Sequence, residues 1–199
     1  MEVVIYTDGS RFYGKVYRTG HGEYHGTDGS VYKGEWRDDK KWGHGHFRFA
    51  NGDTYEGSWE DDMINGQGIF IGKKGDRYIG QFKNGKKDGF GIIEFANGER
   101  FEGQWKDDTF DGEQGQYMFS QGNRYQGPFV NGLFEGKGTL IIPNEGKYTG
   151  MFVAGNIEGY GKFEFLNGEV YEGEWKECMM HGKGKLIQEE GNVIYEGQF

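Results

Sequence analysis

Two prolines, one cysteine and no long apolar run in 199 residues remove several possibilities at the outset. With Cys178 as its single thiol, the chain has no internal disulfide and no thiolate metal cluster. Nothing approaches the roughly twenty apolar residues of a membrane-spanning helix. The opening MEVVIYTDGS has neither a basic leader nor a secretory apolar core, so a soluble, cytoplasmic chain is expected. Positive charge is also short, with 23 Lys and Arg against 32 Asp and Glu, and no basic block is present. That excludes the usual electrostatic footprint for nucleic acid and weakens long-range attraction to anionic lipid. The acidity is concentrated late: residues 33–106 carry 13 cations and 13 anions, residues 107–199 carry 7 and 15.

What the chain does have is 39 glycines beside 16 Phe, 13 Tyr and 5 Trp. Glycine-rich disorder lacks aromatics, so something is packed, yet a mean hydropathy of -0.85 argues against a thick two-layer core. An aromatic followed two residues later by glycine and four later by another aromatic recurs at Tyr32, Tyr55, Tyr78, Phe101, Tyr125, Tyr148, Tyr171 and Tyr195, with spacings of 23 or 24. Eleven residues after most of these anchors comes Gly-x-Gly, as at Gly43/Gly45, Gly66/Gly68 and Gly89/Gly91; in the fourth repeat it is stretched to Gly112-Glu-Gln-Gly115.

YEGSW alternates with period two and places Tyr55, Gly57 and Trp59 on one face; GQGIFIG does the same for Gly66, Gly68 and Phe70. Each repeat therefore reads as two short strands. The Asn51-Gly52, Asn97-Gly98 and Asn167-Gly168 pairs are expected to make tight hairpin turns between repeats, and a loop of about six residues such as EDDMIN to join the strands within one. Gly-x-Gly reads as floor on which aromatic rings sit. The predicted fold is all-β, a twisted single-layer antiparallel meander of hairpins forming an elongated ribbon of about 80 Å.

Y-x-G-x-W, then Gly-x-Gly, then Asn-Gly at a 23-residue period resembles the MORN repeat (membrane occupation and recognition nexus), over nearly the whole chain. One continuous array is expected over 1–199: an atypical, shortened first repeat over about 1–31, seven repeats over 32–194, and the start of a further one over 195–199. The family often has glycine three residues after the second aromatic of the first strand. Gly85, Gly132 and Gly155 fit; Asp39, Asp62, Asp108 and Cys178 do not, and a different turn is expected there.

No residue set reads as an active site or a cofactor site. A phosphate cradle needs its glycines at a helix N-terminus, and nothing here reads as a helix. His44 and His46, with His21 and His25, sit in variable slots of the repeat, so no metal is expected. Glu172 and Glu174 fall on the face opposite the aromatics.

Two surfaces remain for partner binding. The first is the aromatic face, Tyr55, Trp59, Tyr78, Phe82, Phe101, Trp105, Tyr125, Phe129, Tyr148, Phe152, Tyr171 and Trp175, either open as a groove or serving simply as the core. The second is a ridge of loop side chains along one edge, Ile64, Phe110, Phe134, Ile157 and Met180, unless each folds back as a lid on its own face. The resemblance implies a non-catalytic scaffold or adaptor holding an extended or helical segment of a protein partner, in a cytoskeletal or ciliary (axonemal) assembly. The acidic second half favours a basic partner. The alternatives are peripheral binding to membrane lipid or phosphoinositide through Lys73, Lys74, Lys83, Lys86 and Lys87, and a targeting region of a larger enzyme. Tyr195 to Phe199 would form an exposed edge strand, which suggests self-association through the C-terminal edge.

Overall fold

The computed structural model describes residues 2–15 and 18–199, and of Glu2 only the backbone. Val16 and Tyr17, inside the expected first repeat, lie outside the described residues. Every regular element among those described is a strand, and the 19 strands form one open antiparallel meander. The chain forms two compact bodies, an N-terminal one (residues 1–96 and 106–108) and a C-terminal one (97–105 and 109–199). The first holds β1 (Glu2–Ile5), β2 (Arg11–Gly14), β3 (Gly20–His25), β4 (Val31–Arg37), β5 (Lys40–Arg48), β6 (Thr54–Glu60), β7 (Met63–Ile71), β8 (Arg77–Lys83) and β9 (Lys86–Glu94). The second is built on β10 (Arg100–Lys106), β11 (Thr109–Met118), β12 (Arg124–Val130), β13 (Leu133–Phe134), β14 (Gly136–Ile142), β15 (Gly146–Val153), β16 (Asn156–Phe165), β17 (Val170–Lys176), β18 (Met179–Ile187) and β19 (Val193–Gln198).

The register turns the sequence period into rows that cross the sheet. In the N-terminal body Gly22, Gly34, Gly45, Gly57, Gly68, Gly80 and Gly91 pair in succession, and beside them run Tyr24, Tyr32, Phe47, Tyr55, Phe70, Tyr78 and Ile93. The C-terminal body repeats the glycine row from Gly138 through Gly150, Gly161, Gly173 and Gly184 to Gly197. The rows exist because the Tyr ring lies flat across them: a Cβ on Gly57 would come within 2.5 Å of Tyr55 Oη and of Gly68 Cα. The second glycine of Gly-x-Gly is thus the expected ring floor. The first has another role. Gly66 stands at φ 82 in an irregularity where three residues, Asn65 to Gln67, oppose Ser58 alone. A bulge of this size interrupts the ladder locally, and the Tyr55 hydroxyl donates to the Ser58 carbonyl there at 3.0 Å. The same bond joins Tyr32 to Glu35, Tyr78 to Gln81, Tyr125 to Pro128 and Tyr171 to Glu174, each at 2.9 Å.

The two turn types are exchanged relative to the sequence expectation. Within a repeat the strands close through two residues that both have positive φ: Asp61 at 49° and Asp62 at 68°, Asn84 at 50° and Gly85 at 82°, Glu177 at 51° and Cys178 at 64°. That is the hairpin turn whose twist matches the strands, and Asp tolerates it better than most residues. The turns with Asp39, Asp62, Asp108 and Cys178 therefore have the same shape as those with glycine. At the Asn-Gly pairs only the glycine is left-handed; Asn51 Oδ1 accepts from Asp53 N at 3.0 Å, and Phe49 N donates to the Asp53 carbonyl at 2.9 Å, closing a wider loop.

Tight turns also stack on one another. Asp62 N donates to the Lys41 carbonyl at 3.1 Å, Gly85 N to Ile64 at 2.9 Å and Gly155 N to Phe134 at 2.9 Å. Where the turn residue is Asp, its carboxylate accepts a second bond from the preceding repeat: Lys41 N to Asp62 Oδ1, and Lys87 N to Asp108 Oδ1, both 2.9 Å. At Cys178 the acceptor is sulfur, 3.3 Å from Ile157 N, a weak acceptor.

Three outcomes follow for stability. Gly68→Ala puts a Cβ 2.5 Å from Tyr55 Cζ and is expected to cost roughly 3 kcal/mol through overpacking. Gly98→Ala, left-handed but with nothing within 4 Å, should cost about 1 kcal/mol from backbone conformation alone, so urea unfolding of the two variants should separate them clearly. Cys178→Asp restores the oxygen acceptor and should stabilise by about 1 kcal/mol, read as a higher thermal midpoint. Finally, burial pushes the hydroxyls of Tyr55, Tyr125 and Tyr148 up to about 12, and those of Tyr32 and Tyr78 upward as well. An unfolded phenol ionises near about 10, so this stability is complete below that pH and is lost as pH rises from there through the folded values. Phenolate absorbance and loss of strand circular dichroism should rise together over that range.

Candidate functional site

All twelve aromatic-face candidates are core residues, between 0% and 7% exposed. Within each body a tyrosine meets its own strand's Trp or Phe edge-on and then that of the next repeat, as at two positions: Tyr55 lies 5.5 Å from Trp59 at 84° and 5.2 Å from Phe82 at 86°, and Tyr148 lies 5.3 Å from Phe152 and 5.1 Å from Trp175. Trp59 and Trp175 carry the contact further, donating Nε1 to the carbonyls of Gly45 and Gly161 at 3.4 and 3.3 Å. Phe101 and Trp105 pair the same way, 5.5 Å apart at 82°. Edge-to-face rings satisfy their quadrupoles as well as burying area, and so a one-layer sheet acquires a core on one face.

The expected edge ridge is not a ridge. With the loop reduced to two residues, Ile64, Phe110, Phe134, Ile157 and Met180 become strand residues. Four of them stand directly opposite a first-strand aromatic: Ile64 opposite Trp59, Phe134 opposite Phe129, Ile157 opposite Phe152 and Met180 opposite Trp175. All five are buried or half-buried as lids on the aromatic face. Phe110 stacks on Phe101 at 4.0 Å and 22°, and Phe134 on Tyr125 at 3.8 Å and 12°. Strand alternation sends their neighbours Met63, Leu133 and Met179 the other way, where they are exposed.

At this lid position the N-terminal body carries cations as well. Lys41 stands opposite Trp36 and Lys87 opposite Phe82, on either side of Ile64. Lys41 Nζ lies 5.3 Å from the Trp59 ring centroid, 5.5 Å from that of Phe47 and 5.7 Å from that of Tyr32; Lys87 Nζ lies 5.5 Å from Tyr78. Arg18 holds the same relation to Trp36, at 4.6 Å. Between the lids and the wider loops lies an open groove of about 660 Å³, floored by Phe47, Phe49, Phe70 and Ile64. Phe47 on β5 and Phe49 just after it meet at 4.5 Å and 78°, and both rings are half-buried. The first-strand anchors draw a sequence reading away from these rings as a surface; the signal lies in HFRFANG, where Phe47 and Phe49 alternate before the loop, and in IFIGKKG, where Phe70 stands between two isoleucines. A smaller cavity of about 450 Å³ adjoins Phe70, with Lys73, Lys74 and Asp76 in its lining.

On the other face the charged side chains pair across strands, as in Lys33 with Glu23 at 3.1 Å and Lys185 with Glu172 at 3.2 Å. Exposed pairs of this kind add little stability. His25 Nε2 is 2.6 Å from Glu23 and His44 Nε2 is 3.7 Å from Glu56; among the described residues no three His, Cys, Asp or Glu side chains gather as metal ligands. The glycines of Gly-x-Gly lie under rings and in bulges, where their geometry serves packing.

The chain is similar in fold to the wild-type TCP10 domain of Danio rerio CPAP, with 13% identity, full coverage of both chains and a TM-score of 0.50. It is more distantly similar to that domain in complex with a peptide of Danio rerio STIL, at 15% identity, covering 100% of this chain and 99% of that one with a TM-score of 0.42. The TCP domain of Drosophila melanogaster SAS-4, in complex with a proline-rich motif of Ana2, matches at 11% identity over 100% and 90% of the two chains, with a TM-score of 0.41. A comparison with curated proteins gives no match. The MORN repeat profile matches eight consecutive stretches, 17–31, 32–54, 55–77, 78–100, 101–124, 125–147, 148–170 and 171–193. With the glycine rows, the edge-to-face aromatic core and the hairpin meander in place, the chain belongs to the MORN repeat family.

Proposed function

We propose that this chain is a non-catalytic scaffold that holds an extended or helical segment of a protein partner along its aromatic groove. The observation that carries this reading is the groove of the N-terminal body: Phe47, Phe49, Phe70 and Ile64 are half-buried on a face where a single sheet layer supplies the whole floor. Half-buried rings in a concave strip are what a partner's apolar side chains need. The fully buried tyrosines support the groove from below, while Trp59 and Phe82 reach its lining with little exposed surface. A cytoplasmic setting in a cytoskeletal or ciliary assembly is what the family resemblance implies, and it is the setting in which a search for the partner should start.

Membrane lipid is the second reading, and Lys73 and Lys74 at the smaller cavity are the observation that favours it. Asp76 shares that lining, and Lys86 is held by Asp107 at 2.9 Å, so the basic character there is diluted.

The test is affinity purification from cells with the wild-type chain and with Phe49→Ser/Phe70→Ser, after thermal melts show both folded. Proteins retained by the wild type and lost from the variant support the groove as the docking site. Equal recovery by both removes it.

A further inference from the structure

The face of the C-terminal body opposite its aromatic core carries a patch that packing within the chain does not require. Val130 and Leu133 pair across one tight turn, Val153 precedes the next, and Met179 follows the one after. Met151 lies two residues before Val153 on the same side of β15, and Tyr160 belongs to the irregularity of β16 in which residues 158–160 oppose Met151. All six are 42–64% exposed. That leaves roughly 600 Å² of surface in one place, at the upper end of what a monomer exposes in a single patch and near the roughly 800 Å² per partner of a standard interface. The same repeat positions accept polar side chains in the N-terminal body. Arg37 and Lys40, and Lys83 and Lys86, flank its turns, while Gln67 and Gln81 stand where Tyr160 and Met151 do. The hairpins close equally well there, so the apolar set is an addition to the repeat.

The order of side chains across the sheet identifies the occupant. One row reads Lys137, Met151, Tyr160 and Glu174 on four successive strands, β14 to β17. Its ends carry opposite charges three strand steps apart, about 14 Å, and neither has an ion-pair partner among the described residues. The row beside the turns reads Val130, Leu133, Val153, Asn156, Lys176 and Met179. We infer that a second copy of this chain docks here, face to face, about a two-fold axis running along the strands between β15 and β16. Such an axis sets each row against itself in reverse. Met151 then meets the partner's Tyr160, Lys137 the partner's Glu174, Val130 the partner's Met179, and Leu133 the aliphatic stem of the partner's Lys176. The contact is isologous, and the strands of the two sheets stay aligned, as in sheets packed about 10 Å apart. The remaining rim is mixed in sign: Glu135 and Glu158 accept from Ala154 N and Glu177 N at 3.0 and 2.9 Å, and Lys176 and Lys183 are exposed. A patch of one sign repels its own copy, whereas charges that change sign across the axis attract it. The surface belongs to a different body from the groove, and the inference stands independently of the scaffold reading.

The experiment is sedimentation velocity of the full chain over a range from about 2 to about 200 µM, where a dimer of this interface size dissociates. The wild type is compared with Met151→Gln/Tyr160→Gln, Lys137→Glu, Glu174→Lys and the double charge exchange. The glutamines reproduce Gln81 and Gln67 at the same repeat positions, and thermal melts check that every variant folds. The expected result is a concentration-dependent equilibrium of monomer and dimer in the wild type, with dimerisation about tenfold weaker or worse in the glutamine pair. Each single charge change sets like charges together twice per dimer and should weaken it about tenfold as well, and the double exchange should restore it. Restoration cannot come from within one chain, because β14 and β17 are separated by two strands. A dimer indifferent to the glutamine pair or to the single charge changes, or one that the double exchange fails to restore, overturns the proposal. So does a wild type that stays monomeric throughout, which leaves the patch to another protein.

Discussion

The structure depends on one close approach, a tyrosine ring lying on a glycine row where a single methyl group would collide. Tyr55 covers Gly57 of its own strand and Gly68 of the next, and its hydroxyl reaches the Ser58 carbonyl at the bulge. Glycine here costs backbone entropy, and the ring burial, the hydrogen bond and the edge-on contacts with Trp59 and Phe82 offset that cost. Every other feature serves this seat. The bulge holds the acceptor, the left-handed Gly66 allows the bulge, and the neighbouring indole donates back to a glycine carbonyl of the row.

A second constraint holds the hairpins in register along the tight-turn edge. Each turn donates a backbone N–H to the lid residue of the repeat before it, and the side chain in the second turn position either is absent, as in Gly85, or accepts a further bond, as in Asp62. Asp and Gly are therefore two solutions to one geometry. Asp gains an acceptor but occupies an unfavourable backbone region; glycine sits there freely and contributes no bond. Cys178 follows the Asp pattern with a poorer acceptor.

How far the sequence could be read follows from which features are periodic. The 23-residue spacing of Tyr-x-Gly-x-Trp and of Gly-x-Gly leads directly to strands, faces and ring floor, because alternation on a strand is a strict rule. Turn geometry was less legible: EDDMIN looks like a loop because Asp, Asn and Met have no strong strand preference, and nothing local reveals that two consecutive aspartates take positive φ. That one misreading moved Ile64, Phe134 and Met180 from a loop to a strand and from an exposed edge to the aromatic face. Conversely Asn51-Gly52 resembles a tight turn, but the Asn51 side chain accepts from Asp53 N and opens it. The sequence places Phe70 on the face of Gly66 and Gly68, yet neither it nor Phe49 enters the candidate surface, because a repeat draws attention to the residues it keeps from copy to copy within the chain.

The same reasoning separates the residues that build this protein from those that distinguish it. A repeat whose core is fixed by ring-on-glycine contact has little freedom at Tyr55, Gly57, Trp59 or Gly68, since each touches a neighbouring copy. Freedom lies at the lid, which faces the core on one side and solvent on the other. Isoleucine, phenylalanine, methionine and lysine all fill it without disturbing the register. A lysine stem covers apolar surface nearly as well as an aliphatic side chain, while its ammonium lies over neighbouring rings and beside a turn aspartate. The lid is thus a position where the chemistry of the groove can change without changing the fold, and along the N-terminal body it alternates charge, apolar, charge at Lys41, Ile64 and Lys87. In a protein made of copies, that alternation is information the copying itself does not supply.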